Sequence, residues 1–364
     1  MIDNVEDLQA LVERARKTNA VALDTEFVWE RTYYPRLGLI QLALSNEECF
    51  LIDPCALDDL SPLGELLADP AVVKIFHDAP QDIAILRNAT GVDPKNIFDT
   101  RLAAGFAGLS STLSLGALIE LLLDIKLEKT ETRTDWLNRP LHTRQKEYAM
   151  DDVRYLRAIR VLLLARIMPE TVKWLEEELQ KLNDPKNYIG VSDLSRYRKI
   201  RGASKLNRPS LAILQELASW REEEARKRNR PRGHIVRDSV LLCIARQQLR
   251  DKSAIQECGD ISSRCVNAYG DILIQLVNKG LSRPEKDCPS LLQNIKLNKK
   301  EKTALTKLHD FIILKSDIHG IDPALVGNKS ELKELVKLSS FPAAQIKQKS
   351  GWRRHFLAEL TEKD

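Results

Sequence analysis

No stretch of the 364-residue chain approaches the ~20 consecutive apolar residues that a membrane-spanning helix needs, so no membrane span is expected. The first 20 residues lack the basic-then-apolar layout of a secretory signal, because Asp3, Glu6, Asp7 and Glu13 interrupt the apolar positions. They read instead as an amphipathic helix with Leu8, Leu11 and Val12 on one face. The six cysteines (Cys49, Cys55, Cys243, Cys258, Cys265 and Cys288) include no Cys-x-x-Cys pair. That spacing argues against a zinc site or thioredoxin-like chemistry, and the expectation is buried free thiols in a reducing cytoplasm. What remains is a composition of 43% hydrophobic and 30% charged residues, ordinary for a globular protein. The length exceeds one ordinary core and implies two or three domains.

The net charge of +4 conceals a division. Residues 1–168 hold 19 Lys and Arg against 26 Asp and Glu, a net of −7; the remainder hold 37 against 26, a net of +11. Carboxylates hold cations, whereas Lys and Arg hold phosphates, so the halves are expected to do different work. The acidic half alternates strand and helix patterns. Ala20–Val28, Leu37–Leu44 and Cys49–Ile52 read as three strands in an antiparallel meander. A helix near Pro62–Ala68, a strand at Val72–His77, a helix at Gln81–Asn88 and a short strand at Asn96–Phe98 follow. A last long helix runs from Thr143 to Ile167. This order implies an α/β domain over residues 1–168 with a mixed sheet, and residues 169–206 read as a helical connector.

The rest is helical by periodicity and repeats internally. Leu214, Leu217, Trp220, Ile235, Leu241 and Ile244 recur at a constant offset of 91 as Leu305, Leu308, Phe311, Val326, Leu332 and Leu335. Two small all-α modules are expected, at 207–288 and 289–364, each of a size that can fold alone.

Chemistry concentrates in the acidic half. Asp24 and Glu26 sit at i and i+2 of a strand pattern and share a face. Two carboxylates in an apolar strand repel and are costly to desolvate, and a bound cation offsets both costs. Tyr148 and Asp152 share a helix face at i and i+4, with Asp151 turned about 100° away toward solvent. Asp82 falls in the first turn of its helix, and Asp78 reads as a cap. Hard oxygen ligands suit Mg²⁺ or Mn²⁺. Two such ions about 4 Å apart would serve phosphodiester hydrolysis. Asp24 would bridge both, Glu26 and Asp152 would complete the ion on the water side, and Asp82 would support the other ion through its waters. Tyr148, with an ordinary pKa near ~10, would orient the attacking water by hydrogen bond.

These residues resemble the DEDD exonucleases in the subclass with a Tyr in the third motif. The carriers are Leu23-Asp24-Thr25-Glu26-Phe27, His77 followed five residues later by Asp82, and Tyr148-Ala149-Met150-Asp151-Asp152. Arg133 to Leu141 (RTDWLNRPL) and Arg31 to Leu42 narrow the resemblance to the bacterial ribonuclease D family, and the helical repeats resemble HRDC modules. The resemblance implies an RNase H-like mixed sheet with flanking helices, followed by HRDC-like domains at 207–288 and 289–364. It implies a 3′→5′ exoribonuclease that releases nucleoside 5′-monophosphates in tRNA 3′-end maturation, with Phe27 packed against the terminal base. His77 is either a substrate contact or a structural histidine at a strand end. Lys129 and Trp136 lie near the site in the family pattern, Lys129 as a substrate contact and Trp136 as a packing anchor.

In the basic half, six cations between Arg196 and Arg208 (Arg198, Lys199, Arg201 and Lys205 among them) have no acid between them. Six more between Arg226 and Arg237, including Arg228, Arg230 and Arg232, likewise have none. Such clusters bind phosphates without reading sequence, which suits RNA with a 3′ single-stranded end. The competing arrangement is a solvated helix face in which Glu222, Glu223 and Glu224 pair with Arg226, Lys227 and Arg228 at i,i+4. Competing functions are a 3′→5′ DNA exonuclease and an inactive RNA-binding protein; no obligate protein partner is expected.

Overall fold

A computed structural model describes residues 1–127, 134–188, 193–291, 297–338 and 351–358. It divides into two compact units, the first Met1–Val28, Leu37–Ile189 and Leu297–Asp364, the second Trp29–Arg36 and Gly190–Lys296.

The first unit opens with α1 (Val5–Arg16), whose Leu8, Leu11 and Val12 are buried as its pattern predicts. Next come β1 (Ala20–Val28), β2 (Arg36–Ala43), β3 (Cys49–Ile52), α2 (Ser61–Ala68), β4 (Val73–Phe76), α3 (Pro80–Thr90) and β5 (Ile97–Asp99). The strands form a five-stranded sheet in the order β3-β2-β1-β4-β5. β2 and β3 are antiparallel, whereas β4 is parallel to both β1 and β5. The expected meander thus leads into a mixed sheet. α4 (Thr100–Phe106), α5 (Leu115–Leu123), α6 (Thr143–Arg154), α7 (Leu156–Arg166) and α8 (Val172–Lys181) complete this run. The sheet is covered on both faces. Val21 and Leu23 belong to a core with α1, α2 and α3. Ala20 and Ala22, on the opposite side of the pleat, belong to a core with α4, α5 and α7.

The single helix expected from Thr143 to Ile167 is two helices that meet at Tyr155. The break lets each part face a different surface. α6 packs on β1 and β3, while α7 packs on β1, β4 and α4. Arg157 donates to the Ala20 carbonyl, and the Arg160 guanidinium lies over the Phe98 ring at 5.2 Å.

The second unit is built on α9 (Arg208–Lys227), α10 (Arg232–Ile235), α11 (Asp238–Gln247), α12 (Lys252–Gln256) and α13 (Ser263–Leu281). The loop after β1 belongs to it. The Tyr33 hydroxyl donates to Glu222, and the Asn229 side chain accepts from the backbone N–H groups of Tyr33 and Tyr34 at 3.1 and 3.2 Å. Cys243 and Cys258 form a disulfide, which corrects the expectation of buried free thiols. α11 ends at Gln248 in a left-handed turn, and the chain doubles back to bring the two cysteines together. Of the remaining four, only Cys288 is buried.

The repeat persists in three dimensions. α14 (Lys299–Ile318) and α15 (Lys329–Leu338) lie 91 residues after α9 and α11 at both ends, and Asn207 and Asn298 cap the equivalent helices. The two copies differ in how they bury their apolar faces. The first copy closes on α13 within its own unit. In the second, Leu308, Ile312, Val326 and Leu332 join the core of the first unit, together with Trp352 and Phe356 of α16 (Trp352–Ala358). Residues 297–364 are therefore part of the unit that holds the sheet, and not the free-standing bundle expected for 289–364.

Candidate active site

β1 is apolar where β4 pairs with it and acidic beyond. Ala22 is registered with Ile75, and β4 stops at Phe76. From Asp24 onward β1 runs past the carboxyl end of its parallel neighbour, the end of an open α/β sheet where ligands bind. Alternation places Asp24 and Glu26 on one side and Thr25 on the other. α6, packed on β1, brings in Asp152. One oxygen from each of Asp24, Glu26 and Asp152 lies within 4.8 Å of the other two. Thr25, 4% exposed, reaches toward α3 and donates to the Asp82 carboxylate at 2.5 Å. Asp82 is itself 7% exposed, so it is a buried acid and not a surface first-turn acid.

Four acids so placed hold one another's protons. Burial, then the charges of Asp82, Asp152 and Glu26, raise Asp24 well above the carboxylate range. Burial and the charges of Asp152 and Asp82 push Glu26 to about 8. Burial brings Asp82 to about 7 against the opposing Thr25 bond, and Asp152 to about 7 against a hydrogen bond from Tyr148. Burial and the neighbouring carboxylates also hold the Tyr148 phenol above its ordinary value, so at neutral pH it keeps its proton and donates to Asp152. Clustered carboxylate oxygens with little compensating positive charge are the donor set of a hard divalent cation. A pH dependence follows. Raised carboxylates contribute stability in their protonated form, and that contribution is lost as pH climbs from about 4 through about 7–8. Mg²⁺ or Mn²⁺ should therefore raise the melting temperature more at pH 8 than at pH 6, where protons compete for the oxygens. A metal-induced shift that is equal at both values in calorimetric melts would contradict this coupling.

The surrounding residues fix these positions. Asp99, 2% exposed, accepts from the backbone N–H groups of Asp78 and Ala79 at 3.1 and 3.0 Å and from Arg101 at 2.8 Å. It thereby ties the end of β4 to the start of α3. Asp78 is not a cap; it adopts a left-handed backbone and pairs with Arg101. His77 is a brace, with Nδ1 2.9 Å from the Thr100 hydroxyl and Nε2 3.1 Å from the Leu113 carbonyl. Both ring nitrogens are thus engaged by the chain, which favours the structural side of the alternative stated for it. Trp136 is 3% exposed, its ring 6.2 Å from that of Tyr148, and it packs with Leu39, Leu51 and Ala149 as an anchor. Gly38 is required beneath it, because a Cβ there would meet the Trp136 carbonyl at 2.6 Å.

Arg139 locks this layer. Its guanidinium donates twice to Asp53 at 2.6 Å, to the Gly38 carbonyl at 2.7 Å and to the Trp136 and Asn138 carbonyls at 2.9 Å. All five donors are used. Arg139→Ala should cost about 2–3 kcal/mol, since it strips charge-assisted bonds from the buried Asp53. It should also lower turnover by loosening the support of Tyr148. Denaturant unfolding together with a rate assay checks this, and unchanged values in both would contradict the role.

Comparison with known proteins agrees with this geometry. The 3′-5′ exonuclease family model matches residues 1–167, and the HRDC domain model matches residues 210–277. Ribonuclease D of Desulfotalea psychrophila is 50% identical over 362 residues, covering 99% of this chain and 96% of that protein. The chain belongs to the ribonuclease D family. Ribonuclease D of Escherichia coli is 34% identical over 366 residues, covering 99% of this chain and 96% of that one. The crystal structure of Escherichia coli RNase D, described as an exoribonuclease involved in structured RNA processing, aligns with a TM-score of 0.84 at 32% identity. That alignment covers 99% of this chain and 96% of the other. This member of the ribonuclease D family has the RNase H-like exonuclease fold and an HRDC domain, and it is a hydrolase, a 3′→5′ exoribonuclease. The readings as a DNA exonuclease or an inactive RNA-binding protein give way to that membership.

Among the other residues singled out in this ribonuclease D family member, Phe27 lies half-buried on β1, and Lys129 lies outside the described residues. The cation clusters are less free than their charge count implies. Glu222 is bound by Arg232 and lies 3.5 Å from Arg196, and Glu224 binds Arg228. The anticipated i,i+4 pairing thus occurs at Arg228, while Arg226 pairs with Asp193 instead. Arg198, Lys199, Arg201 and Arg230 are exposed, with no carboxylate in ion-pair range among the described residues. Thr25, Asp53, Asp99 and Arg139 were not singled out as site supports. Arg139 and Asp53 lie 86 residues apart, and no local spacing signals such a pair.

Proposed function

We propose that this ribonuclease D family member trims the 3′ ends of tRNA precursors in the cytoplasm with two divalent cations, Mg²⁺ or Mn²⁺. The observation that carries the reading is the approach of Asp24, Glu26 and Asp152 oxygens to within 4.8 Å, with the Tyr148 hydroxyl held on Asp152. Such ions, when bound, would supply a nucleophile from water at neutral pH and charge for the leaving oxygen. Asp24, Glu26 and Asp152 would hold them, with Asp82, fixed by Thr25, in support. Tyr148, held protonated, is suited to position the attacking water and unsuited to abstract its proton. Phe27 would pack against the terminal base. His77 would act through the loop that it braces, and Lys129 would contact the substrate. Phosphate contacts in the helical unit would come from Arg196, Arg198, Lys199, Arg201, Arg228, Arg230 and Arg232. Contacts of this kind bind by charge and shape, as processing of structured RNA requires.

Matched RNA and DNA oligomers with labelled 5′ ends, beside a tRNA precursor with a 3′ extension, test the proposal. RNA should shorten stepwise from its 3′ end with release of 5′-monophosphates, and the precursor should stop near the mature end. Equal or faster digestion of DNA would sink the substrate assignment. A precursor left intact while unstructured RNA is degraded would sink the tRNA role.

A further inference from the structure

The second unit holds a cavity of about 420 Å³, a volume that accommodates a small ligand. Five cations line it: Arg196, Lys199, Arg221, Arg232 and Arg237. Three carboxylates offset them. Glu222 takes two bonds from Arg232, Asp238 lies 2.7 Å from Arg221, and Asp260 lies 3.0 Å from Arg237. Two positive charges remain. Lys199 is exposed at the rim, and among the described residues it has no carboxylate in ion-pair range.

One donor of the lining residues is unmet. Arg221 is 6% exposed. One of its terminal nitrogens donates to the Val236 carbonyl at 2.8 Å and the other pairs with Asp238, while its Nε has no hydrogen-bond partner. The Nε of Arg196 lies 3.5 Å from a Glu222 oxygen, within ion-pair range. Buried guanidinium N–H groups without acceptors are costly. An anion with several strong acceptor oxygens would offset the excess charge of this lining. A phosphate monoester carries about −1.5 to −2 at pH 7 and offers three such oxygens, and guanidinium forks match its geometry. We propose that this cavity is a phosphate-binding site, filled by the phosphate of a mononucleotide or by a phosphate of the RNA backbone. The second source rests on the reading of the helical unit as RNA-binding; the first does not.

Calorimetric titration of the full chain with inorganic phosphate and with 5′-AMP tests the site, in chelator so that no metal at the catalytic carboxylates takes the anion. Both should bind. Lys199→Glu, a change at an exposed side chain, should weaken both at least tenfold. Arg250→Glu, the same kind of charge reversal away from the cavity, should leave them within twofold. If the RNA backbone is the source, Lys199→Glu should also weaken binding of a 3′ single-stranded RNA and flatten its log–log salt slope by roughly 0.7 per lost phosphate contact. If a mononucleotide is the source, RNA should fail to displace 5′-AMP. Absence of phosphate binding, or equal binding in the wild-type and Lys199→Glu proteins, would overturn the site. RNA affinity of the wild-type chain that ignores salt would instead overturn the electrostatic reading of the helical unit, whatever the phosphate titration shows.

Discussion

Asp24→Asn should abolish RNA hydrolysis, by at least about 10³-fold, or about 4 kcal/mol of transition-state stabilisation. The same variant should bind RNA with close to wild-type affinity. Asp24 is the acid on which the other three converge, since Asp82, Asp152 and Glu26 all act on its charge. The amide keeps the shape and removes the anionic oxygen, so a bound cation would lose a ligand while the fold is retained. The carboxylates raise one another, so removing one charge relieves the others. Metal-free Asp24→Asn should accordingly melt higher than the metal-free wild-type protein at pH 8, and metal should stabilise it less. A variant that turned over near the wild-type rate, or that melted lower without metal, would contradict the arrangement.

Tyr148→Phe should slow hydrolysis by roughly 10–100-fold while metal affinity stays close to that of the wild type. The hydroxyl donates to Asp152, and burial and the surrounding carboxylates keep it protonated. Its removal takes away one oriented donor and leaves the ligand oxygens in place. A positioned proton-handling group contributes about 10²–10⁴-fold in general; a residue that only orients water belongs at the lower end. The pH–rate profile separates the roles. If Tyr148 acted as a base, the profile would lose a limb at alkaline pH in the variant. If it orients water, the profile keeps its shape and drops in height. Loss of metal affinity comparable to that of Asp24→Asn would place Tyr148 among the ligands and contradict the assignment.

Local periodicity exposed most of the candidate set that the fold brings together. Asp24 and Glu26 at i and i+2 in Ala20–Val28, and Tyr148 and Asp152 at i and i+4, are face-sharing patterns that a strand and a helix turn directly into neighbours. Asp82 offered only its place in a first helical turn, because its burial depends on Thr25, from a strand 57 residues earlier. The Arg139–Asp53 pair was illegible for the same reason. The expected long helix hid the break at Tyr155, because apolar periodicity continues through it while the packing partners change. The 91-residue repeat was visible, but the fate of its second copy was not. Leucines at matched positions do not reveal whether they close on their own module or on the sheet-bearing unit. That difference matters for experiment, since truncation at residue 206 would strip Leu308, Ile312 and Val326 from the core of the exonuclease unit. The cation clusters were overcounted because Glu222, between the basic side chains of Arg196 and Arg232 in the folded unit, lies outside both clusters in the sequence.

Binding of Mn²⁺ to the full chain, followed by electron paramagnetic resonance with a cleavage-resistant RNA 3′ end present, asks most directly whether the four acids form one cation centre. Two ions should bind per wild-type chain, with both weakened at least tenfold in Asp24→Asn and one of them selectively weakened in Asp82→Asn. Undiminished occupancy in Asp24→Asn would mean that the cations, and with them the chemistry, lie elsewhere.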